Sequence, residues 1–428
     1  MGNTLKKPIT SKTTERGGSK ENNGIRWGVS SMQGWRITME DAHIVQEITV
    51  VEDPETGHSI QLKEPHFFFA VLDGHGGSMA AEYASKHLCD LVKRRTEFIT
   101  YAKSVAKVAQ PTKEAKSPDS LSDPTMSTTS AREQLTTETN DAATLLQRAL
   151  EDAFVEMDLQ LLRETVKLGF FKLHPDPDTQ ESTEATKTDG DDDNNGWGLE
   201  LDQQDVEATP DGESSPDGEQ PKEESGTSGT TVTALLVTPD LMLCANVGDS
   251  RTIIDAFPLS TDHKPTLPGE RLRIFKAKGM VNFNRVDGEL AVSRALGDFE
   301  FKEYNQSHIV EGSMDIEEKR TLARKLKVSP FPEVTVHYRT DIDQAVILAC
   351  DGVWDVMSNI ECNEFVQVLC EQGESDVGLI AEEILDACLK KGSRDNMTVL
   401  VGLLPSQEIG IGGGVLKRRK SRLKKLSI

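Results

Sequence analysis

The 428-residue chain has no long hydrophobic run, and this absence excludes one class of protein. No apolar stretch approaches the roughly 18 residues that a helix needs to cross a bilayer. The N-terminus also has no apolar segment of the kind that a secretory signal peptide carries. We therefore expect a protein with neither a membrane-spanning helix nor a signal peptide.

Cysteine is scarce too, with six residues in the whole chain and no Cys-x-x-Cys spacing. Most of the six lie in apolar segments that are expected to be strands or helices. This usage predicts reduced core side chains of an intracellular protein, and it argues against a disulfide framework or a structural zinc site. The six residues are Cys89, Cys244, Cys350, Cys362, Cys370 and Cys388.

Positive charge is the third shortage, because 48 Lys and Arg residues face 71 Asp and Glu residues. The net charge of −23 argues against direct nucleic-acid binding by the folded domain. Most of the excess lies in residues 176–224, where eighteen acidic residues face two lysines. Such a segment cannot bury enough apolar surface to fold alone. We therefore predict a disordered acidic insert over residues 172–229, which is either a solvated spacer or an arm that recruits basic nuclear proteins.

Three further segments are poor in apolar residues and divide the chain. Residues 1–24 are predicted to be a flexible N-terminal segment. Residues 103–140 contain thirteen Ser and Thr and are predicted to be a disordered loop. Residues 405–428 form a basic C-terminal tail. The remainder suits one large domain over residues 25–404 with a substantial core.

The tail holds seven basic residues and no acidic one between Lys417 and Lys425. Such a cluster is typical of a nuclear-import signal, or of a segment that binds lipid or an acidic partner. We expect a nuclear and/or cytoplasmic protein. Gly2 stands where N-myristoylation occurs, but Lys6 replaces the Ser or Thr that this signal prefers, so membrane attachment is the weaker interpretation.

Acidic residues stand next to several apolar runs that are expected to be strands. The run 67–72 ends in Asp73-Gly74-His75, and the run 345–350 ends in Asp351, with Asp355 four residues later. A carboxylate at the end of a buried strand has to face solvent or a cation, because an unpaired buried charge is very costly. Three more corners share the pattern, namely Asp249 after the run 243–247, Asp395 before the run 397–404, and Glu40 with Asp41 shortly after Arg36.

One such corner alone is better explained as a turn, since Asp-Gly is a common turn sequence. Five together instead indicate a cluster of oxygen ligands. All-oxygen sites suit hard cations such as Mg²⁺ or Mn²⁺.

Eight segments, in order along the chain, resemble the metal-dependent protein serine/threonine phosphatases of type 2C. They are SSMQGWRITMEDAH (30–43), FFAVLDGHGG (68–77), SGTTVTALLV (228–237), NVGDSR (246–251), DHKP (262–265), LAVSRALGDF (290–299), ILACDGVWDVM (347–357) and SRDNMTV (393–399). The resemblance implies an α+β fold. Two antiparallel β-sheets would stack face to face between helices, as a four-layer α-β-β-α sandwich with a dinuclear metal site at one edge.

The resemblance also implies roles for the acidic corners. Asp73 would bridge two Mg²⁺ or Mn²⁺ ions. The remaining ligands would be Asp351 and Asp395 at one ion, Glu40 and the Gly74 carbonyl at the other, and Asp249 with Asp355 at a weaker third ion. Asp41 would support the site without binding a metal itself.

Two further residues would act on the substrate, a phosphoserine or phosphothreonine protein. Arg36 would bind the phosphoryl oxygens through its planar fork of donors. His75 would protonate the departing serine or threonine oxygen. Water would attack without a covalent intermediate, because no cysteine lies in a phosphate-cradling loop followed by arginine. We expect a monomer.

Two other functions stay open. A catalytically inactive relative that only binds phosphoproteins is disfavoured, because every matched ligand position keeps its carboxylate. A chromatin or RNA-processing scaffold that uses the acidic insert could coexist with catalysis. Residues 300–332 are polar, and in the family this neighbourhood forms a flap beside the active site, so substrate selection is expected there.

Overall fold

The computed structural model describes residues 4–18, 24–106, 128–173, 228–310 and 312–426. Its strands are β1 (Thr4–Gly17), β2 (Arg26–Arg36), β3 (Ala42–Glu52), β4 (Ser59–His75), β5 (Gly229–Val237), β6 (Leu241–Val247), β7 (Arg251–Ile254), β8 (Phe257–Pro258), β9 (Val281–Asn282), β10 (Arg285–Val286), β11 (Leu296–Gly297), β12 (Glu333–Tyr338), β13 (Ala345–Ala349) and β14 (Met397–Leu403). Its helices are α1 (Met79–Lys93), α2 (Thr96–Ser104), α3 (Thr128–Lys167), α4 (Pro268–Lys276), α5 (Gln306–Ile309), α6 (Ile316–Lys325), α7 (Asp351–Trp354), α8 (Asn359–Glu371), α9 (Val377–Lys391) and α10 (Gly414–Leu426).

The strands form two large sheets. The first has the order β1-β2-β14-β13-β7-β8, and the second has the order β12-β6-β5-β4-β3 with β11 beside β5. Every pairing within them is antiparallel. Strands β9 and β10 form a separate hairpin.

The side chains of β4 show how the layers arise, because successive residues of a strand point to opposite faces. Phe69 and Val71 lie in the apolar layer between the two sheets. Phe68 and Leu72 pack instead in the core that the second sheet shares with α1 and α3. Helices α8 and α9 cover the first sheet in the same way. The predicted four-layer sandwich of antiparallel sheets is therefore confirmed.

The expectation of a flexible N-terminal segment is wrong for Thr4–Gly17, which form the edge strand β1. No side chain of this strand is fully buried, so its sequence carries no hydrophobic signal. Backbone pairing with β2 and ion pairs to α9, such as Lys12 Nζ to Asp386 Oδ1 at 2.7 Å, hold it instead.

The expected loop over residues 103–140 is wrong at both ends. Helix α2 continues to Ser104, and α3 begins at Thr128 instead of near residue 141. Residues 131–135, Ala-Arg-Glu-Gln-Leu, are strong helix formers. Extending an existing helix is much easier than starting one, which explains the early start. Residues 107–127 lie outside the described ranges.

The segment that follows the Asp73 strand forms two helices, α1 and α2. Ser78 occupies the N-cap position of α1 but does not cap it through its side chain. Ser78 has helical backbone angles instead of the extended ones typical of a capping residue, and its hydroxyl donates to Glu82 Oε1 at 2.8 Å.

The C-terminal tail is also structured in part. Residues Gly414–Leu426 form α10, which packs on α8 and α9. Arg419 donates to Glu383 Oε1 at 2.8 Å and to Glu382 Oε2 at 3.0 Å on α9. Most of the predicted acidic insert, residues 174–227, lies outside the described ranges, so its disorder stays a prediction.

Two sequence expectations concern side-chain chemistry and membrane crossing. All six cysteines are free and buried, as predicted for reduced core residues. Within the described ranges, no helix combines the length and the apolar character that crossing a bilayer would require.

Candidate metal centre

The ends of several strands meet at one edge of the sandwich and line a cavity of about 350 Å³. Its walls contain eight of the nine residues expected at the site, and their roles remain predictions. These are Arg36, Glu40, Asp73, Gly74, His75, Asp249, Asp351 and Asp395. The ninth, Asp355, lines an adjoining cleft of about 670 Å³ that shares Arg36, Glu40 and Asp395 with the cavity.

Close backbone contacts bring these segments together. A Cβ atom on Gly74 would lie 2.3 Å from the Glu40 carbonyl oxygen, so only glycine allows the end of β4 to touch the Glu40 segment. A Cβ atom on Gly352 would lie 2.1 Å from the Asn396 carbonyl oxygen. The Asp-Gly pairs are therefore more than turn signals, because each glycine lets a second chain segment approach a carboxylate.

Asn396 ties the Arg36 loop to the Asp395 loop. Its side-chain amide donates to the carbonyls of Gln33 and Thr38 at 2.9 Å each. Its Oδ1 accepts the backbone N–H of Glu40 at 3.0 Å. Sequence reasoning gave Asn396 no role, although it lies in the SRDN segment that was singled out.

Burial and mutual repulsion together disfavour the charged form of the carboxylates in the cavity. Loss of hydration, followed by the neighbouring carboxylates Asp351 and Asp41, raises the pKa of Asp73 well above its usual value. Loss of hydration, followed by the carboxylates of Asp249, Asp395 and Asp355, raises the pKa of Asp351 to about 7. Bringing like charges together without a counterion is costly. The cluster thus stores unfavourable energy that a bound cation would relieve.

The donor set fits hard divalent ions. Carboxylate and carbonyl oxygens are the ligands that Mg²⁺ and Mn²⁺ prefer. Within the described ranges, Asp41 Oδ1 is buried and has no hydrogen-bond partner, while Oδ2 accepts the Thr398 hydroxyl at 2.7 Å. One oxygen of Asp41 is therefore free to face a cation or a water bound to it.

A sulfur atom lies close to these oxygens. Ligand atoms of Asp41, Asp73 and Cys350 lie within 4.8 Å of one another. Burial raises the pKa of the Cys350 thiol well above its usual value, so the thiol stays protonated. Its Sγ accepts the Thr398 backbone N–H at 3.1 Å. Cys350 therefore packs behind the site, and its soft sulfur does not suit the hard ions that the surrounding oxygens would bind.

Two cationic side chains contact the acidic cluster. Arg36 Nη2 lies 2.6 Å from Asp395 Oδ2, and about half of the Arg36 side chain is exposed to the cleft. Lys264 forms an ion pair with Asp249. Sequence reasoning did not single out Lys264, although it belongs to the DHKP segment. Arg36 and Lys264 each bind a carboxylate oxygen that would also be a ligand for a metal ion, so they would compete with the ion.

His75 has a carboxylate partner that sequence reasoning missed. Its Nε2 lies 2.8 and 2.9 Å from the two oxygens of Asp298, whose side chain is 2 % exposed. Burial acts to lower the pKa of His75, but Asp298 outweighs it and raises that pKa. The LGDF segment contained Asp298, but nothing in the sequence indicates a contact across 223 positions.

The fold and this site together define a class, the four-layer α-β-β-α sandwich with a carboxylate-lined cavity at one sheet edge. Comparison with known families gives the particular family. The model described as "Protein phosphatase 2C" matches residues 25–138 and 171–397. The chain belongs to the protein phosphatase 2C family, whose members are metal-dependent.

Individual relatives agree with this assignment. Protein phosphatase 1B of Mus musculus is 32% identical over 405 residues, which cover 94% of this chain and 75% of the relative. Protein phosphatase 2C homolog 3 of Schizosaccharomyces pombe is 30% identical over 95% of this chain and 71% of its own length. Protein phosphatase ppm-1.A of Caenorhabditis elegans is 32% identical over 95% of this chain, which spans only 64% of that relative.

Solved structures share the fold. The serine-threonine phosphatase 2C from Toxoplasma gondii superposes with a TM-score of 0.55 at 17% identity. The match covers 92% of this chain and 99% of that one. At this identity the likeness concerns the fold alone.

Proposed function

We propose that the chain is a metal-dependent protein phosphatase that hydrolyses phosphoserine and phosphothreonine esters in proteins. The observation that carries the proposal is the single cavity in which carboxylates from five separated segments meet Arg36 and His75. Membership of the protein phosphatase 2C family supports it. The ions would be Mg²⁺ or Mn²⁺, in keeping with the oxygen-only donors.

The carboxylate residues would hold two ions, and a weaker third one. Asp73 would contact both main ions, Asp351 and Asp395 one of them, and Glu40 with the Gly74 carbonyl the other, while Asp249 and Asp355 would hold the third. Two such ions supply a water that is ionised near neutral pH and offset charge on the phosphoryl oxygens. Water would attack phosphorus directly, without a covalent intermediate.

Arg36 and His75 would act on the substrate itself. The exposed half of Arg36 offers planar donors to two phosphoryl oxygens. His75 donates its Nε2 proton to Asp298, so a proton for the departing serine or threonine oxygen would come from Nδ1. The raised pKa of His75 favours the imidazolium form that carries both protons.

The test is turnover of a phosphothreonine peptide by the full chain during Mg²⁺ and Mn²⁺ titration. We expect no turnover in chelator and saturable activation by either ion, with Asp73→Asn as the inactive control. A wild-type protein that binds the phosphopeptide without hydrolysing it at any metal concentration would identify an inactive relative instead.

The acidic insert gives a second, compatible proposal about partners. Its charge suits basic nuclear proteins, and its described C-terminal end contacts the segment that follows His75, where Ser228 Oγ donates to the Gly77 carbonyl at 3.0 Å. Binding of histones by the full chain and by a chain lacking residues 176–224 tests it. Equal binding by both would remove the insert from this role.

Nuclear localisation through the tail is likewise a proposal. Because Arg419 holds α10 on α9, the matched test replaces Lys417, Arg418 and Lys420 with alanine and leaves Arg419 in place. We expect the full-length variant to lose nuclear accumulation. Unchanged accumulation would contradict the proposal, and membrane staining that depends on Gly2 would favour the lipid-anchor alternative.

A further inference from the structure

Asp158 on α3 is a fully buried carboxylate outside the catalytic cavity. Its Oδ1 accepts the Lys302 ammonium at 2.7 Å and the Gly297 backbone N–H at 2.9 Å. Its Oδ2 accepts the Tyr304 hydroxyl at 2.8 Å. Three donors from one short segment, residues 297–304, thus converge on a single side chain of another element.

These contacts bracket Asp298, the partner of His75. Gly297 directly precedes Asp298, and Lys302 follows it by four residues. The Lys302 side chain is fully buried and also donates to the Ala295 carbonyl at 2.9 Å. Asp158 therefore holds the chain on both sides of the carboxylate that contacts Nε2 of His75.

The Asp298 turn needs such external support. Asp298 has a φ of 52°, a left-handed conformation that residues other than glycine adopt uncommonly and that asparagine and aspartate adopt more often than the rest. Its carboxylate also packs against the Cα of Gly229, where a Cβ atom would lie 2.3 Å from the Asp298 carboxyl carbon. Residues in sparsely populated conformations persist only where surrounding contacts fix them.

We propose that Asp158 is a positioning residue for the phosphatase reaction: the buried Asp158–Lys302–Tyr304 cluster fixes the turn that aims Asp298 at His75. The inference rests on the proposed function, in which His75 delivers a proton to the leaving oxygen. Asp158 has no contact with the metal ligands in this role and acts only through the turn.

Stability alone does not account for the cluster. A buried ion pair is weak support for a fold, since apolar residues of similar volume often stabilise as much or more. Such a pair can instead select one conformation of the segment that it holds. Three hydrogen bonds to the chain around Asp298 are consistent with that second role.

A matched control lies on the same helix. Asp152 is also buried on α3 and accepts Arg320 Nε at 2.6 Å, but Arg320 belongs to α6 and not to the Asp298 turn. Asp152→Asn and Asp158→Asn both break a buried ion pair of α3. Only the second disturbs the support of Asp298.

The kinetic test compares two leaving groups at saturating metal. Proton delivery matters for a phosphothreonine peptide and matters little for p-nitrophenyl phosphate, whose leaving group is a weak base. We expect Asp158→Asn to lower kcat on the peptide by about tenfold or more, a fraction of the 10²–10⁴-fold of general acid catalysis. The loss on the aryl ester is expected to stay below about threefold, and Asp152→Asn is expected to leave the ratio of the two rates unchanged.

A second readout does not depend on turnover. In the metal-free full chain labelled with ¹⁵N-histidine, His75→Ala assigns the resonance of the Nε2 proton bonded to Asp298. We expect this resonance in the wild type and in Asp152→Asn, and its loss or shift in Asp158→Asn and Asp298→Asn. An unchanged resonance in folded Asp158→Asn would overturn the inference. If the wild type shows no turnover, the proposed function fails while this measurement still judges the positioning role.

A milder variant, Tyr304→Phe, tests the same cluster if Asp158→Asn does not fold. Tyr304→Phe removes one hydrogen bond to Asp158 and leaves the ion pair with Lys302 in place. We expect the same selective loss on the peptide, of about threefold, in keeping with the modest energy of one hydrogen bond. An unchanged rate ratio together with an unchanged His75 resonance in Tyr304→Phe would count against the cluster as a positioning device.

Discussion

Asp73 and Asp249 differ in the charges that surround them. Asp249 already has a cationic partner in Lys264, whereas Asp73 is surrounded by other carboxylates. We expect Asp73→Asn to abolish turnover, because it weakens the ligand that both main ions would share. Asp249→Asn is expected mainly to raise the metal concentration required. The measurement is the peptide rate during Mn²⁺ titration, and comparable residual rates of both variants at saturating Mn²⁺ would contradict these assignments.

The roles of Arg36 and His75 can be distinguished by comparing two substrates that differ in their leaving group. His75→Ala is expected to lower kcat on a phosphothreonine peptide by about 10²–10⁴-fold and to affect p-nitrophenyl phosphate far less. Arg36 would contact phosphoryl oxygens common to both substrates, so Arg36→Ala should weaken both by similar factors, more in KM than in kcat. Both constants are measured for both variants at saturating metal. Equal losses of His75→Ala on the two substrates would mean that His75 orients the site and that another group supplies the proton.

Only part of the site could be predicted from single residues in the sequence. Asp73, Asp249, Asp351 and Asp395 were accessible because each stands close to the end or the start of an apolar run, whereas the roles of all ligand candidates came from the resemblance to a known family. Asp298, Lys264 and Asn396 were not accessible, because their partners lie elsewhere in the chain and their types fit ordinary loops equally well. Asp298 also has a left-handed φ, which an aspartate adopts only occasionally and which its neighbours in the sequence do not reveal.

At the scale of the element, β1 shows why an edge strand can escape prediction. A strand with neither face buried has no alternation of apolar and polar residues, and β1 is exposed or half-buried throughout. What determines it is the unpaired edge of β2 and the acidic surface of α9, both distant in sequence. By contrast, β13 and residues 67–72 of β4 were predictable because both of their faces are buried.

Removal of β1 is expected to destabilise the domain. A chain that begins at residue 18 loses the backbone ladder to β2 and leaves that edge open to association. We expect its Tm to fall by at least about 4 °C, which corresponds to roughly 1–2 kcal/mol for a domain of this size. The control Lys12→Ala removes one partly buried ion pair but keeps the backbone ladder to β2, and should change Tm by about 2 °C or less. Calorimetry measures both, and an unchanged Tm after truncation would show that β1 only covers the surface.

At the scale of the whole molecule, apolar runs predicted strands but not their neighbours. Nothing in the sequence of β13 indicates that it pairs with β14 on one side and β7 on the other. The order of the sheets followed instead from the resemblance of the ordered motifs to a known family. Long-range pairing depends on which surfaces are mutually complementary after collapse, and a local pattern does not contain that information.

The acidic edge of the sandwich predicts how the whole molecule responds to pH without metal. Loss of hydration and neighbouring carboxylates raise the pKa of Asp351 to about 7 and raise that of Asp73, whereas an unfolded aspartate titrates near roughly 3.9. The folded protein therefore binds protons more tightly than the unfolded chain between these values. Its stability should rise as pH falls through 7 toward 4.

Calorimetry of the chelated full chain between pH 8 and pH 5 tests this expectation. We expect Tm to increase on acidification, and to increase less in Asp73→Asn, which has one repelling carboxylate fewer. Saturating Mg²⁺ should raise Tm most at pH 8, because the ion binds the folded state and offsets the same repulsion. Carboxylates in ion pairs lose their contribution only at lower pH, since pairing with arginines outweighs burial and lowers the pKa of Glu270 to about 2. Burial lowers the pKa of His66 and His263, so these two side chains oppose the increase below about pH 6.5. A chelated wild-type protein whose Tm is constant or falls from pH 8 to pH 5 would show that the carboxylate cluster does not control stability in this range.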